Sequence, residues 1–208
     1  MSLIIRCSQL GKIMTDGKKG EELSAGAKTY LRELLKKEIL GYDDEISSKY
    51  LEKGIRCEQE SLNLYNTVFF TDYIKNTERR TDDYITGEAD ILADGLVIDL
   101  KTSWSLNTFP LFACDAVNND YEWQLRGYMR LFDLPRAELA YCMVSTPIDL
   151  CQYEDRRIHE VDHIPPELRV RVLKFERDAD KEAAIVAKVE AARRFYNMLR
   201  EQWVNGEA

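Results

Sequence analysis

The chain has only two histidines in 208 residues, His159 and His163, and Pro165 and Pro166 follow at once. A proline pair interrupts the helix that would aim both imidazoles at one ion, so zinc binding there is disfavoured and histidine-dependent hydrolysis has little to work with. Cysteine is sparse and scattered: Cys7, Cys57, Cys114, Cys142 and Cys151 form no Cys-x-x-Cys pair, and five is an odd number. That spacing fits reduced thiols rather than a disulfide framework or a zinc site. Cys142 and Cys151 have no third or fourth partner beyond them, which argues against an iron-sulfur cluster. No GxxxxGK[ST] run is present, so no nucleotide-driven motor is expected. An apolar run of about 18 residues is also missing. The opening MSLIIRCSQLGK is too short and too quickly polar for a secretory signal, and the expectation is a cytoplasmic protein with no membrane contact. Positive charge is in deficit, with 29 Lys and Arg against 37 Asp and Glu and a net charge of -8. Bulk attraction to nucleic acid is thereby ruled out as a sole binding principle, while room is left for acids that hold a cation.

What is present suffices for one good core, since 45% of the residues are hydrophobic and about 150 residues make a typical domain. The expected layout is a single domain over 1–208, with a helical part at 1–66, a sheet core at 67–178 and a closing helix at 179–208. Leu31, Leu34, Leu35 and Ile39 recur at helical spacing, predicting an amphipathic helix from about Ser24 to Leu40, ended by Gly41. A second helix is expected over about 44–66, a third over about 121–132, and a long alanine-rich one over about 180–203. Strands are expected at 67–74 (TVFFTDYI), 84–92, 96–102, 137–145 and 168–176. Helices first and strands interleaved with helices afterwards predict an α/β fold, a mixed sheet covered by helices on both faces.

The stretch GEADILADGLVIDLKTS, residues 87–103, carries the chemistry. Asp99 and Lys101 stand two apart on an apolar strand, so both side chains point to one face. Asp94-Gly95 between two apolar runs is a hairpin signal, which pairs Ala93 with Leu96, Leu92 with Val97 and Ile91 with Ile98. Asp90 then falls opposite Asp99, and Glu88 opposite Lys101. Opposed Cβ atoms lie about 4.5–5.5 Å apart, so two carboxylates there repel unless a divalent cation joins them; Mg²⁺ favours such a pair with water and phosphate. A longer turn would shift the register and leave Asp90 a solvated strand-end acid.

Asp90, a short spacer and Asp99-Leu100-Lys101 resemble the PD-(D/E)XK nuclease signature, with Ala89 where that signature has proline. Two further motifs strengthen the resemblance. In KGIRCEQE (53–60), Gly54 and Glu58 are similar to the upstream motif of the phage lambda exonuclease and RecB-type branch; Glu60 is about 200° away around the helix and cannot face the same ion. In EWQLRGY (122–128), Gln124 and Tyr128 share a helix face and resemble the QxxxY motif of the same branch. RCSQLGKIM (6–14) is similar to the opening of lambda-type exonucleases, placing Ser8 at a position that binds a terminal 5′ phosphate; an N-cap role for Ser8 is the alternative. A second phosphate-binding serine of that family is Glu88 in this chain. A last strand and long closing helix complete the likeness, which spans nearly the whole chain.

The resemblance implies a restriction-endonuclease-like core and a Mg²⁺-dependent DNA exonuclease, with Mn²⁺ able to substitute. It implies Asp90, Asp99, Glu58 and the Leu100 carbonyl as metal ligands, Lys101 beside the attacking water, Gln124 next to the site and Tyr128 near the DNA. Arg79, Arg80 and Arg126, with Lys12, Lys18 and Lys19, are candidates for phosphate contacts. Trp104 is either a stacking platform for a base or a core residue. The family resemblance further implies phage or prophage origin, 5′ to 3′ resection of double-stranded DNA ends, a single-strand annealing protein as partner and a ring trimer. A sequence- or structure-specific endonuclease, or a non-catalytic DNA-binding or assembly module of the same fold, are the alternatives.

Overall fold

The computed structural model describes residues 3–42 and 48–206. Short β1 (Ile5–Arg6) and the helical turn α1 (Gly11–Met14) lead into α2 (Ala25–Leu40). Ser24 Oγ caps α2 by accepting from the Ala27 N–H at 3.1 Å, and Gly41 ends it with φ of 64°. The helix expected over 44–66 is two helices, α3 (Lys49–Arg56) and α4 (Glu58–Phe69), broken at Cys57; positions 44–47 lie outside the described residues.

The strand expected at 67–74 does not form. Although its β-branched and aromatic residues favour a strand, α4 continues to Phe69 because Leu62, Leu64, Tyr65 and Val68 extend its apolar face over the sheet. Phe70 caps α4 in the left-handed region, and residues 71–79 run without regular structure. Asn66 substitutes for a strand partner there: its Oδ1 accepts from Thr71 Oγ1 and the Tyr73 N–H, and its Nδ2 donates to the Tyr73 carbonyl.

The remaining strands make two mixed sheets. β1 lies parallel to β3 (Ile85–Gly87), which is antiparallel to β2 (Arg80–Thr81). The second sheet runs β4 (Ile91–Ala93), β5 (Leu96–Thr102), β6 (Arg136–Cys142) and β7 (Val170–Glu176), with only β5 and β6 parallel. Sheet strand is thus already present in the segment 1–66 that reads as helical. Between β6 and β7 lies the short helix α6 (Ile148–Cys151).

Helices cover both faces of the second sheet. α5 (Asn119–Phe132), capped by Asn118, and α7 (Ala179–Val204), capped by Asp178, form one core with α2 and with Val97, Ala137 and Leu139. On the other face α4 packs on Ile91, Ile98, Ala140 and Cys142. Alternation along β5 therefore sends Val97 and Asp99 toward α5 and Ile98 toward α4. Gly127 of α5 and Gly87 of β3 permit the close approach of Cys7, since a Cβ at either would stand 2.8 Å from its Sγ. Among the described residues no helix is long and apolar enough to cross a membrane.

Candidate active site

The β4–β5 hairpin has the expected register, with Ile91 opposite Ile98, Leu92 opposite Val97 and Ala93 opposite Leu96. Gly95 alone of the turn pair takes a positive φ, 69°. Beyond Ile91 the ladder stops, because side chains take over its next hydrogen bonds. Asp90 Oδ2 accepts from the Leu100 N–H at 2.6 Å, and Asn76 Nδ2 donates to the Ala89 carbonyl at 2.9 Å. The strand expected over 84–92 is consequently split into β3 and β4, with Asp90 in the gap next to Asp99.

Asp99 is 2% exposed. Its Oδ1 accepts from Gln124 Nε2 at 2.9 Å, and the Lys101 ammonium lies 2.6 Å from Oδ2 in a buried ion pair. Gln124 Nε2 also donates to the Tyr128 hydroxyl at 2.9 Å, so α5 fixes the carboxylate from beneath. Burial, then the charge of Asp99, push the Asp90 carboxyl up to about 7 against the opposing Leu100 N–H and Lys101. For Lys101 burial works to lower the pKa, but the charge of Asp99 and its contact with the ammonium outweigh it and raise the value. The Lys101 ammonium also stands 4.7 Å over the Tyr121 ring.

Glu58, at the start of α4, reaches the same cleft from the other side of the sheet. It lines a cavity of about 740 Å³ with Leu51, Lys75, Asp90, Lys101 and Tyr121. Glu58 is ion-paired with Lys75. Glu88 pairs with Arg79 at 3.1 Å and not with Lys101, because the ladder that would oppose them has ended.

The donor set suits a hard divalent cation in part. Two adjacent carboxylates, Asp90 and Asp99, form a charge-repelling pair that a cation would relieve, and their donor atoms are oxygens. Among the described residues, however, no three His, Cys, Asp or Glu side chains converge to hold a metal, and Glu58 is paired with Lys75.

The resemblance to known structures is extensive. A phage-related exonuclease from Haemophilus somnus matches with a TM-score of 0.92 and 31% identity, over 98% of this chain and 97% of that one. The chain belongs to the phage lambda exonuclease and RecB-type branch of the PD-(D/E)XK nucleases. LHK-Exo in complex with dAMP matches at a TM-score of 0.71 and 17% identity over 98% and 93% of the two chains. The alkaline exonuclease LHK-Exo from Laribacter hongkongensis matches at 0.68 and 14%, over 97% and 94%. These last two likenesses are of fold. No protein-family model and no curated protein sequence matches.

Within this nuclease fold the outlying candidates occupy other surroundings. Tyr128 is 4% exposed and bonded to Gln124, so it supports the site from the core. Arg126 is 9% exposed, ion-paired with Glu122 and donating to the Glu176 carbonyl, which leaves its guanidinium turned inward. Ser8 is exposed in a helical turn, Cys7–Gln9, whose N-cap is Arg6, so the capping alternative for Ser8 does not hold. Arg79 is paired with Glu88, and Arg80 with Glu78 at 2.6 Å. Trp104 is core, with Nε1 donating to Glu154 Oε2 and its ring edge-on to Tyr50 and His159.

Sequence reasoning misses Lys53. It reads as a solvated helix charge next to Gly54, yet it is 1% exposed and donates to the carbonyls of Ser103, Trp104 and Val144 at 2.7–2.9 Å. Two of those acceptors lie just after Lys101 and the third just after β6, so Lys53 ties the two chain segments together. No feature of the local sequence signals this, because the acceptors are backbone atoms of distant segments. Tyr121 and Lys75 are missed because their partners, Lys101 and Glu58, are brought to them by folding.

Proposed function

We propose that the protein is a metal-dependent exonuclease that removes mononucleotides from the ends of linear double-stranded DNA, in the 5′ to 3′ direction, for phage-type recombination. Asp90 and Asp99, with the Leu100 carbonyl, would hold Mg²⁺ or Mn²⁺, and Glu58 would complete the set. When bound, the ion supplies a nucleophilic water at neutral pH and compensates charge on the scissile phosphate. The observation carrying the reading is the buried Asp99 carboxylate, anchored by Gln124 on one oxygen and paired with the Lys101 ammonium on the other, with the Asp90 carboxylate beside it.

The roles of the chain's own groups follow from their surroundings. Gln124 and the Leu100 N–H each fix one carboxylate, so both present their second oxygens without reorganisation. Lys101, whose pKa is raised by Asp99 in the metal-free protein, is placed to orient water or to donate to a phosphate oxygen. The cleft walls of Tyr50, Leu51, Ile55 and Tyr121 provide apolar surface of the kind that takes nucleotide bases. The exonuclease character of the Haemophilus somnus relative and the dAMP bound by LHK-Exo favour release of deoxynucleoside monophosphates.

Digestion of a 5′-labelled linear duplex with Mg²⁺ or EDTA tests this, comparing wild type with Asp99→Asn and Lys101→Ala. Mg²⁺-dependent mononucleotide release, lost in both variants, is expected, with closed-circular DNA left intact. Cutting of the circle would replace the exonuclease by an endonuclease, and undiminished activity in the variants would remove the assignment.

A further inference from the structure

Lys75 is not part of any motif in the sequence, yet its side chain lines the same cleft as Lys101 and pairs with Glu58. Its backbone is held in place although the segment is irregular. The Asn76 N–H donates to the Asp90 carbonyl at 2.7 Å, and the Asn76 side chain bonds to Ala89 and Glu78. On the other side, Asn66 anchors Thr71 and Tyr73. The lysine is thus tied to the residue before the β4 strand and cannot drift from the carboxylates as a tip of a free loop could.

Two acids, Glu58 and Asp90, line this cleft with two ammonium groups, Lys75 and Lys101, and the buried Asp99 lies behind Lys101. Lys101 is matched to Asp99. Lys75 lies within electrostatic reach of Glu58, Asp90 and Glu88, and its pairing with Glu58 raises its pKa. A fixed positive charge this near a cation site opposes metal entry, while in the metal-free protein it relieves carboxylate repulsion.

We propose that Lys75 is a built-in counter-ion that holds Glu58 apart from Asp90 and Asp99 until a divalent cation displaces it, making it a positioning residue that sets metal affinity. The inference rests on the metal-site reading above. It predicts opposite effects of one substitution on two measurements, which a merely structural lysine would not produce. Without its ammonium the metal-free protein loses a partner for Glu58, and the metal-bound protein loses a repulsive charge.

The test uses the full chain without DNA, titrated with Mn²⁺ and followed by the electron paramagnetic resonance of free Mn²⁺, with thermal melting in EDTA alongside. Lys75→Met is expected to bind Mn²⁺ at least about fivefold more tightly than wild type, an effect of removing one nearby charge, and to melt lower in EDTA. Lys75→Arg, which keeps the charge, is expected to follow wild type on both. Should Lys75→Met aggregate, Lys75→Gln serves in its place. Unchanged or weaker Mn²⁺ binding in the neutral variant overturns the inference. Asp99→Asn separates the two readings: if it binds Mn²⁺ as well as wild type, the metal site itself is wrong; if it loses Mn²⁺ while Lys75→Met matches wild type, only the role of Lys75 falls.

Discussion

Gln124 Nε2 sits 2.9 Å from Asp99 Oδ1 and 2.9 Å from the Tyr128 hydroxyl, joining the middle of α5 to the centre of β5. A helix residue thereby fixes the orientation of a buried carboxylate across the sheet interface. Gln124→Leu leaves Asp99 Oδ1 without a donor, and nuclease turnover is expected to fall about 10–100-fold, as for other groups that orient metal ligands. Tyr128→Phe removes only an acceptor of Gln124 and is expected to cost less than about tenfold. Steady-state digestion of linear duplex by both variants checks the order, and a larger loss in Tyr128→Phe would contradict it.

Lys53 carries a structural prediction. Lys53→Met leaves the carbonyls of Ser103, Trp104 and Val144 without their buried donor. Stability is expected to drop by about 3 kcal/mol or more, since each unsatisfied buried group costs roughly 1–3 kcal/mol. Burial holds the Lys53 pKa down to about 8, so the ammonium with its three donors is the form present at neutral pH. Urea denaturation measures the loss; a midpoint equal to that of wild type would show that the three bonds contribute nothing.

The Asp90 carboxyl gives a pH dependence. Its folded pKa is raised from 3.8 to about 7, so between these values the folded protein binds more protons than the unfolded chain. Its contribution to stability is therefore full below about pH 4 and is lost as pH rises through 7. In EDTA, Asp90→Asn is expected to remove this part of the slope, leaving a variant that gains on wild type most at pH 7.5 and least at pH 4.5. Melting temperatures across that range are the measurement. A gain that is largest at pH 4.5 would reverse the sign and refute the assignment.

The amino-acid sequence by itself determined the hairpin register, the shared face of Asp99 and Lys101, and the helix face that unites Gln124 with Tyr128. Each follows from a local period of two or of 3.6 residues, or from Asp-Gly turn chemistry, and needs no distant partner. It also carried the family, through motifs whose spacing reflects that geometry. Only the tertiary structure decided that 67–70 finish a helix, that Arg126 and Tyr128 face inward, and that Lys53 and Lys75 hold the two edges of the site. Helix and strand composition at 67–74 was outweighed by the apolar face of α4 on the sheet. The burial of Lys53 and the pairing of Lys75 depend on groups 17 to 91 residues away. Local sequence cannot report a charge's partner when that partner arrives by folding.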